Sequence, residues 1–600
     1  MRCPFAPAIL LLGGLPAFAQ TSNASQPTGA FQAEITVTAT AESESVAEVP
    51  VSVTVVPHSE LEDRQAVEAL TALETVPGLA TTRSGSPGKV ASLFTRGTNS
   101  NHTLVLWNGV ELNDPYLGGF DLSTLSLDGA ERLEIARGPF SALYGSSAVG
   151  GVVQVVTRRS GRTLSARLEA GSRDLLRVGA SAGGALGGAR VEVAGHVRRG
   201  DGEVDNDFWD GDELVASLDA GGDRGWRGGL LARAIRSEIG IPFDYAGVAT
   251  PERRQHADAL SLALPFGWGS ERVEVETQVA GTRTDLEVAD PGDPFAASRA
   301  EAERGQARAS VRWQAGPGWH WTVGGEWERA SVDSSSAFGP ALRGESERVW
   351  AAFAQASYAG GPLRVDAGVR RDEHDAFGGE TSFRAAAALA IGASSRLRAA
   401  YGESFRAPSL ADLYYPGFSN PELRPELGTS YELAFETGGG PWRATVALFR
   451  NDLDGLIEFD FSTSRPQNLG RARAQGIEAE LDYRNDRFEA RWSGTWLDAE
   501  DRATGDRLLR RPDESTSLLL YVRPGEWTLG AIGRYVGDRI DFGDVPLSSY
   551  ATLDLTAARR LGERFEPFAR VENVTDERYE EAAGFPAPRR GFVAGCLLRF

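Results

Sequence analysis

The chain has 600 residues, 41% of them hydrophobic, with mean hydropathy −0.27 and a net charge of −21. That acidic balance excludes the basic footprint of a nucleic-acid-binding protein. Past the leader, no apolar run is long enough for a spanning helix. Membrane strands stay open, because they alternate and leave the mean hydropathy low.

The predicted elements begin with a secretory signal over residues 1–19. Arg2 supplies a positive start, Ile9, Leu10, Leu11 and Leu12 an apolar centre, and Ala17-Phe18-Ala19 a small-x-small cleavage site before Gln20. The chain is therefore expected to leave the cytoplasm. Of its two cysteines, Cys3 falls in the signal, so Cys596 stands alone. This rules out a disulfide framework and a cysteine metal site. Residues 20–44 form a polar arm. In it, Glu34, Ile35, Thr36, Val37, Thr38 and Ala39 make a β-prone segment. Such a segment can add as a strand to a partner's sheet edge; an ordinary first strand has the same composition.

Residues 45–157 read as a small mixed α/β domain of a plausible size. Val51, Val53 and Val55 predict a short strand. Ser59-x-x-Glu62 predicts a capping box opening a helix with Val67, Leu70 and Leu73 on its apolar face, stopped at Pro77-Gly78. Leu104-Val105-Leu106-Trp107 runs into Asn108-Gly109, a hairpin turn signal. Val152-Val153-Gln154-Val155-Val156 predicts another strand.

Residues 158–600 repeat one pattern: apolar and polar residues alternate, then a turn follows. Val273, Val275, Thr277 and Val279 alternate with Glu274, Glu276 and Gln278, and Trp319, Trp321, Val323 and Trp327 continue the pattern. About ten tight turns recur, at Gly187-Gly188, Gly221-Gly222-Asp223-Arg224, Trp268-Gly269, Gly316-Pro317-Gly318, Gly360-Gly361-Pro362, Gly392-Ala393-Ser394, Gly438-Gly439-Gly440-Pro441, Asn485-Asp486, Pro524-Gly525 and Gly562-Glu563. Longer polar connections are expected between the pairs. The fold class implied is an all-β transmembrane barrel of about 22 antiparallel strands, starting near Thr163 and closing at Phe600. A lumen that wide needs a plug, and residues 45–157 supply one. On the last strand Phe592, Ala594, Cys596, Leu598 and Phe600 share a face, with the terminal aromatic suited to an interfacial girdle.

The chain resembles the TonB-dependent outer-membrane receptors. The plug-like motifs are Phe94-Thr95-Arg96-Gly97, then Glu131-Arg132-Leu133-Glu134-Ile135-Ala136-Arg137-Gly138-Pro139, then Ala142-Leu143-Tyr144-Gly145 running to Gly150-Gly151-Val152-Val153. Ser404-Phe405-Arg406-Ala407-Pro408, Asn420-Pro421-Glu422-Leu423, Pro425-Glu426 and Asn573-Val574-Thr575-Asp576 resemble the barrel's motifs. The resemblance implies a Gram-negative outer-membrane location, contact with outer-membrane lipid, and active import of a scarce nutrient. It also implies that residues 34–39 are the TonB box, the handle for the TonB energy-transducing complex. Arg96 and Arg137 would pair with Glu432 and Glu478 on the barrel wall. Alternation turns both glutamates inward, although a polar lumen carries such charges in any case.

The segment from Arg96 through Leu106 is most similar to the cobalamin receptor family, as is the echo at Leu508-Leu509-Arg510-Arg511. That likeness implies a corrinoid ligand touching Val90, Ser92 and Asn99, and a loop Tyr116, Leu117 and Gly118 that is a residue shorter than the family's. It also implies Ca²⁺ at Asp201, Asp205 and Asp207, with Glu238 completing the site. The acidic density suits calcium, and a solvated acidic loop has the same composition. No His-Glu-x-x-His pair or P-loop occurs, so no enzyme is expected. Three readings follow: a corrinoid transporter, a receptor for a ferric siderophore or other ligand, and a passive porin or adhesin barrel.

Overall fold

A computed structural model describes residues 36–37, 44–45, 49–157, 163–222, 225–244, 247–460 and 462–600. The secretory signal lies outside these residues, as do Glu34, Ile35, Thr38, Ala39, and Asp223 and Arg224 of one expected turn. Thr36–Val37 pairs antiparallel with Glu44–Ser45.

Twenty-two antiparallel strands close into one barrel, from Thr163–Gly171 to Gly591–Arg599. Those two strands pair with each other in the register Ser165 to Arg599, so the sheet has no edge. Alternation decides what each side chain meets. In the strand Arg254–Gly269, Leu260, Leu262, Leu264, Phe266 and Trp268 are exposed on the outer face, while Ser261 and Ala263 are buried towards the lumen. At the short-turn end, ring pairs such as Trp319–Tyr358 (4.9 Å) and Trp442–Tyr483 (4.6 Å) form an aromatic girdle.

The expected long connections at the opposite end are only partly present. Ser298–Gly316, Trp319–Ser336 and Gly339–Gly360 run 19, 18 and 22 residues, where a tilted strand needs about 9–11 to cross a bilayer. Trp319–Ser336 and Gly339–Gly360 are joined through Ala337 and Phe338 alone. The reason lies in the outer face: above Leu260 it turns to Asp258, His256 and Arg254, which suit water. The strands stand proud of the hydrocarbon and take the place of loops.

The plug holds a five-stranded sheet and a two-stranded one. Its strands are β1 (Val53–Pro57), β2 (Leu79–Arg83), β3 (Ala91–Thr95), β4 (Thr103–Trp107), β5 (Val110–Glu111), β6 (Ala130–Arg137) and β7 (Gly151–Thr157). The larger sheet runs β1-β6-β7-β4-β5, with β4 and β7 parallel; β2 pairs with β3. Asn108 (φ 48°) and Gly109 (φ 81°) make the two-residue turn between β4 and β5 that their sequence predicts.

The expected single helix is in fact two short ones, α1 (His58–Asp63) and α2 (Ala69–Leu73). The capping box does not form: Pro57 takes the N-cap position, and no side chain caps the helix. Gln65, at φ 54°, breaks the helical path. Leu70, Leu73, Leu93, Val105, Trp107, Leu133, Ile135 and Val153 are buried together as the plug's core. Each such Leu or Val side chain contributes about 1.5–3 kcal/mol by burial.

Candidate functional site

The plug meets the wall through apolar patches, such as Val149 on Leu453 and Leu456, and through many ion pairs. Glu60 of α1 takes Arg491, Asp63 takes Arg523, Glu68 takes Arg198, Glu74 takes Arg534 and Asp128 takes Arg177. The sign reverses at the two Arg-Gly motifs. Arg96 donates through Nε and Nη2 to the two oxygens of Glu478, at 2.7 and 2.9 Å. Its Nη1 lies 2.7 Å from Glu432. Arg137 lies 3.2 Å from Glu478 and donates to the Pro77 carbonyl at 2.6 Å. Glu432 also accepts from Ser52 of the plug at 3.0 Å and from Arg398 of the wall at 3.4 Å. Tyr431, Leu433 and Ile477 face outward and are exposed, as parity requires. Burial works against the Arg96 charge, but Glu478 and Glu432 outweigh it and raise its pKa.

A second buried cluster sits beside the first. His102 approaches Glu426 at 2.6 Å, and Glu426 accepts both Nε (2.7 Å) and Nη2 (3.0 Å) of Arg406. The Asn99 amide donates to His102 Nδ1 at 3.3 Å, which places the ring proton on Nε2 towards the carboxylate. Burial lowers the His102 pKa further than Glu426 can raise it. Arg511, from the connection between Phe488–Asp501 and Glu514–Val522, donates to the carbonyls of Gly97 (3.3 Å) and Thr98 (3.1 Å) and to Asn99 Oδ1 (2.5 Å). His102, Glu426, Arg406 and Arg511 all lie in motifs that the sequence displays. Alone, none announces a partner hundreds of residues away.

The expected ligand contacts gather at the end of the plug carrying these loops. Val90 and Leu117 are exposed, whereas Ser92, Asn99, Tyr116 and Gly118 are half-buried. Asp121 ties the Ala91 amide (2.9 Å) to the Ser123 amide (3.0 Å), joining two of these loops. Tyr116 packs beside Leu342 and Leu410. Beside them an open cleft lies between plug and wall, lined by Glu111, Asp114, Glu326, Glu328, Arg304 and Arg370 among others. Burial there pushes Glu111 up to about 8; Arg304 opposes this, and Glu328, Glu326 and Glu347 add to it.

The four carboxylates expected to hold calcium are not brought together. Asp201 and Asp205 are exposed and Asp207 is buried towards the plug. Glu238 is paired in register with His256 and makes ion pairs with Arg254 (2.9 Å) and His256 (3.7 Å). Strand parity puts His256 and Glu238 on the outer face, whereas Asp207, in the connection before Trp209–Gly221, is held against Ser86 of the plug. Among the described residues, the acids and histidine within mutual ligand reach are Asp128, His196 and Glu213. Arg177 and Arg233 already hold two of those three.

Residues 172–574 match the family model described as TonB dependent receptor-like, beta-barrel, and residues 45–152 match the TonB-dependent Receptor Plug Domain. The chain belongs to the TonB-dependent receptors. These are outer-membrane receptors and transporters of Gram-negative bacteria, not enzymes. Among relatives, the receptor is 27% identical to a protein named Vitamin B12 transporter BtuB from Vibrio vulnificus, covering 91% of each chain. It is 26% identical to one of the same name from Photobacterium profundum, over 94% of this chain and 95% of that one. Among solved structures, the siderophore receptor PirA from Acinetobacter baumannii superposes with TM-score 0.79 at 16% identity, covering 92% of this chain and 99% of that one. FpvA of P. aeruginosa gives 0.81 at 16%, covering 94% and 88%. At that identity the structures speak to the fold alone.

Proposed function

We propose that this receptor imports a corrinoid, and that TonB drives it through residues 34–39. One observation carries the ligand reading. The plug's apical loops expose Val90 and Leu117 beside the Ser92 hydroxyl and the Asn99 amide, while the nearby cations Lys89 and Arg511 are buried in internal contacts. A largely apolar ligand with amide rims suits such a surface; a polyanionic ferric chelate calls for exposed cations. The relatives named for vitamin B12 transport, matched over nearly their whole length, support the same reading. Purified receptor titrated with cyanocobalamin and, in parallel, with ferric siderophores tests it. Saturable cyanocobalamin binding is expected. Saturable binding of a ferric siderophore with none of cyanocobalamin would overturn it.

The energy-coupling reading rests on position. Residues 34–39 precede the plug in the chain, and Thr36–Val37 is extended. An outer-membrane protein has no ATP or ion gradient of its own, so work must arrive through a partner that grips such a strand by its backbone.

A further inference from the structure

Lys89 is the single lysine among 62 basic residues. It is buried in the plug loop between β2 and β3, next to Val90, whose carbonyl accepts the Ser84 amide at 3.1 Å and closes the loop. Gly88 brings that loop against the wall: a Cβ there would lie 2.7 Å from Trp209 Cβ. The Lys89 ammonium meets three oxygens from two parts of the barrel, the connection 201–208 and the end of the strand Gly225–Gly240. It donates to the Phe208 carbonyl at 3.0 Å and to the Gly240 carbonyl, and its ion pair with Asp207 Oδ1 is 3.2 Å. The second Asp207 oxygen accepts from Ser86 Oγ (2.6 Å) and the Glu203 amide (3.0 Å). Asn206, in the left-handed region at φ 57°, donates to the carbonyls of Ile241, Thr250 and Arg253. The connection 201–208 is therefore tied to the plug through Lys89 and Ser86, and to Ile241, Thr250 and Arg253 through Asn206.

We infer that the Lys89 ammonium is a tethered cation that orders this extracellular connection, in place of the calcium ion that the cobalamin-receptor likeness implies. The oxygens that would face a metal face Nζ, and a divalent ion cannot share that cage with an ammonium. The rest of the expected set is turned away, since Glu238 lies on the outer face and Asp201 and Asp205 are exposed. The choice of residue fits the geometry. An ammonium is a compact point charge, suited to two converging carbonyls and a nearby carboxylate; a guanidinium is a planar fork suited to bidentate partners. Everywhere else the chain uses arginine. Burial lowers the Lys89 pKa, and Asp207 works against that.

The test uses full-length receptor in detergent and needs no ligand, so it is independent of the corrinoid reading. Calorimetry with CaCl₂ should show no saturable binding to the wild type. Limited proteolysis of residues 201–208 should proceed equally in CaCl₂ and in EDTA. Lys89→Ala empties the cage without touching the barrel, whose folding is checked by heat-modifiable gel migration. It should lose protection of that segment in EDTA and regain it in millimolar CaCl₂. Asp207→Asn, which keeps the ammonium but removes its counter-charge, should lose protection and not regain it. Saturable calcium binding by the wild type would overturn the inference. So would protection unchanged in Lys89→Ala, or protection lost there and not restored by calcium.

Discussion

Glu478 is shared by two plug arginines, taking Arg96 through both oxygens and Arg137 through one. Burying the three charges is costly, so the cluster adds little net stability compared with an apolar patch; removing one member alone is what does damage. Glu478→Ala would leave Arg96 on Glu432 and Arg137 without a carboxylate. The expected loss is about 3–5 kcal/mol of plug stability, read by urea unfolding of a fluorophore on the plug, with barrel melting unchanged. Glu60 gives the pH counterpart. Burial opposes its ionisation, but Arg491 and Arg64 outweigh that and hold it at about 2 against an ordinary 4.5. Its folded pKa is depressed, so its contribution is complete above 4.5 and is lost as pH falls from there towards about 2. The loss is on the order of 3 kcal/mol. Plug unfolding followed across that window should steepen for wild type and flatten for Glu60→Gln. The inward glutamates were legible because parity needs only the neighbours on one strand. Lys89 was not, because its three oxygens come from parts of the barrel more than a hundred residues away, and two of them are backbone carbonyls that carry no sequence signal.

Single elements were read with uneven success, for physical reasons. Strands of the barrel were legible because their two faces meet two different solvents, lipid and a polar lumen, and each turn needs glycine, proline or asparagine. The connections at the far end were misjudged where strands outrun the membrane: a β-ladder continues into water with the same alternation, only with Asp258, His256 and Arg254 outward instead of leucine. The plug helix was misjudged because a capping box is a local preference, and here burial of Leu61 and Glu60 against the wall overrides it. The arm yields an element-scale prediction. Strand addition draws its affinity from main-chain hydrogen bonds, so most side-chain changes in residues 34–39 should be tolerated and proline should not, since it removes a donor and fixes φ. Ile35→Pro and Val37→Pro are expected to abolish uptake of cyanocobalamin by cells while surface binding stays near wild type. Normal uptake, or loss of binding as well, would mean that this segment is not the coupling handle.

At the scale of the whole molecule, two kinds of contact divide the work. The plug's core is apolar, with Leu70, Leu73, Trp107, Leu133 and Val153 buried together, which holds it together as a unit. Its contact with the wall is mixed: Val215, Leu231 and Leu453 of the barrel pack against apolar plug residues, while Glu60, Asp63, Glu68, Glu74, Arg96 and Asp128 each face an opposite charge on the barrel. Charged groups parted from one another regain water, whereas parted apolar surfaces lose the burial that stabilised them. A plug so mounted can shift against the wall while staying folded, and transport should require that shift. A covalent tie across the interface separates binding from movement. An ideal Cβ on Gly428 of the wall lies 3.1 Å from Cγ1 of Val149 of the plug, so cysteines at the two positions fall near the disulfide range, provided the Ser404 hydroxyl rotates away. Val149→Cys with Gly428→Cys, in a Cys596→Ser background, should bind cyanocobalamin as wild type does in both redox states. Uptake should stop on oxidation and return on reduction. Oxidised receptor transporting at the wild-type rate would show that the ligand passes without this edge of the plug leaving the wall. The path would then have to run elsewhere, with the cleft bounded by Glu111, Glu328 and Arg304 the first place to look.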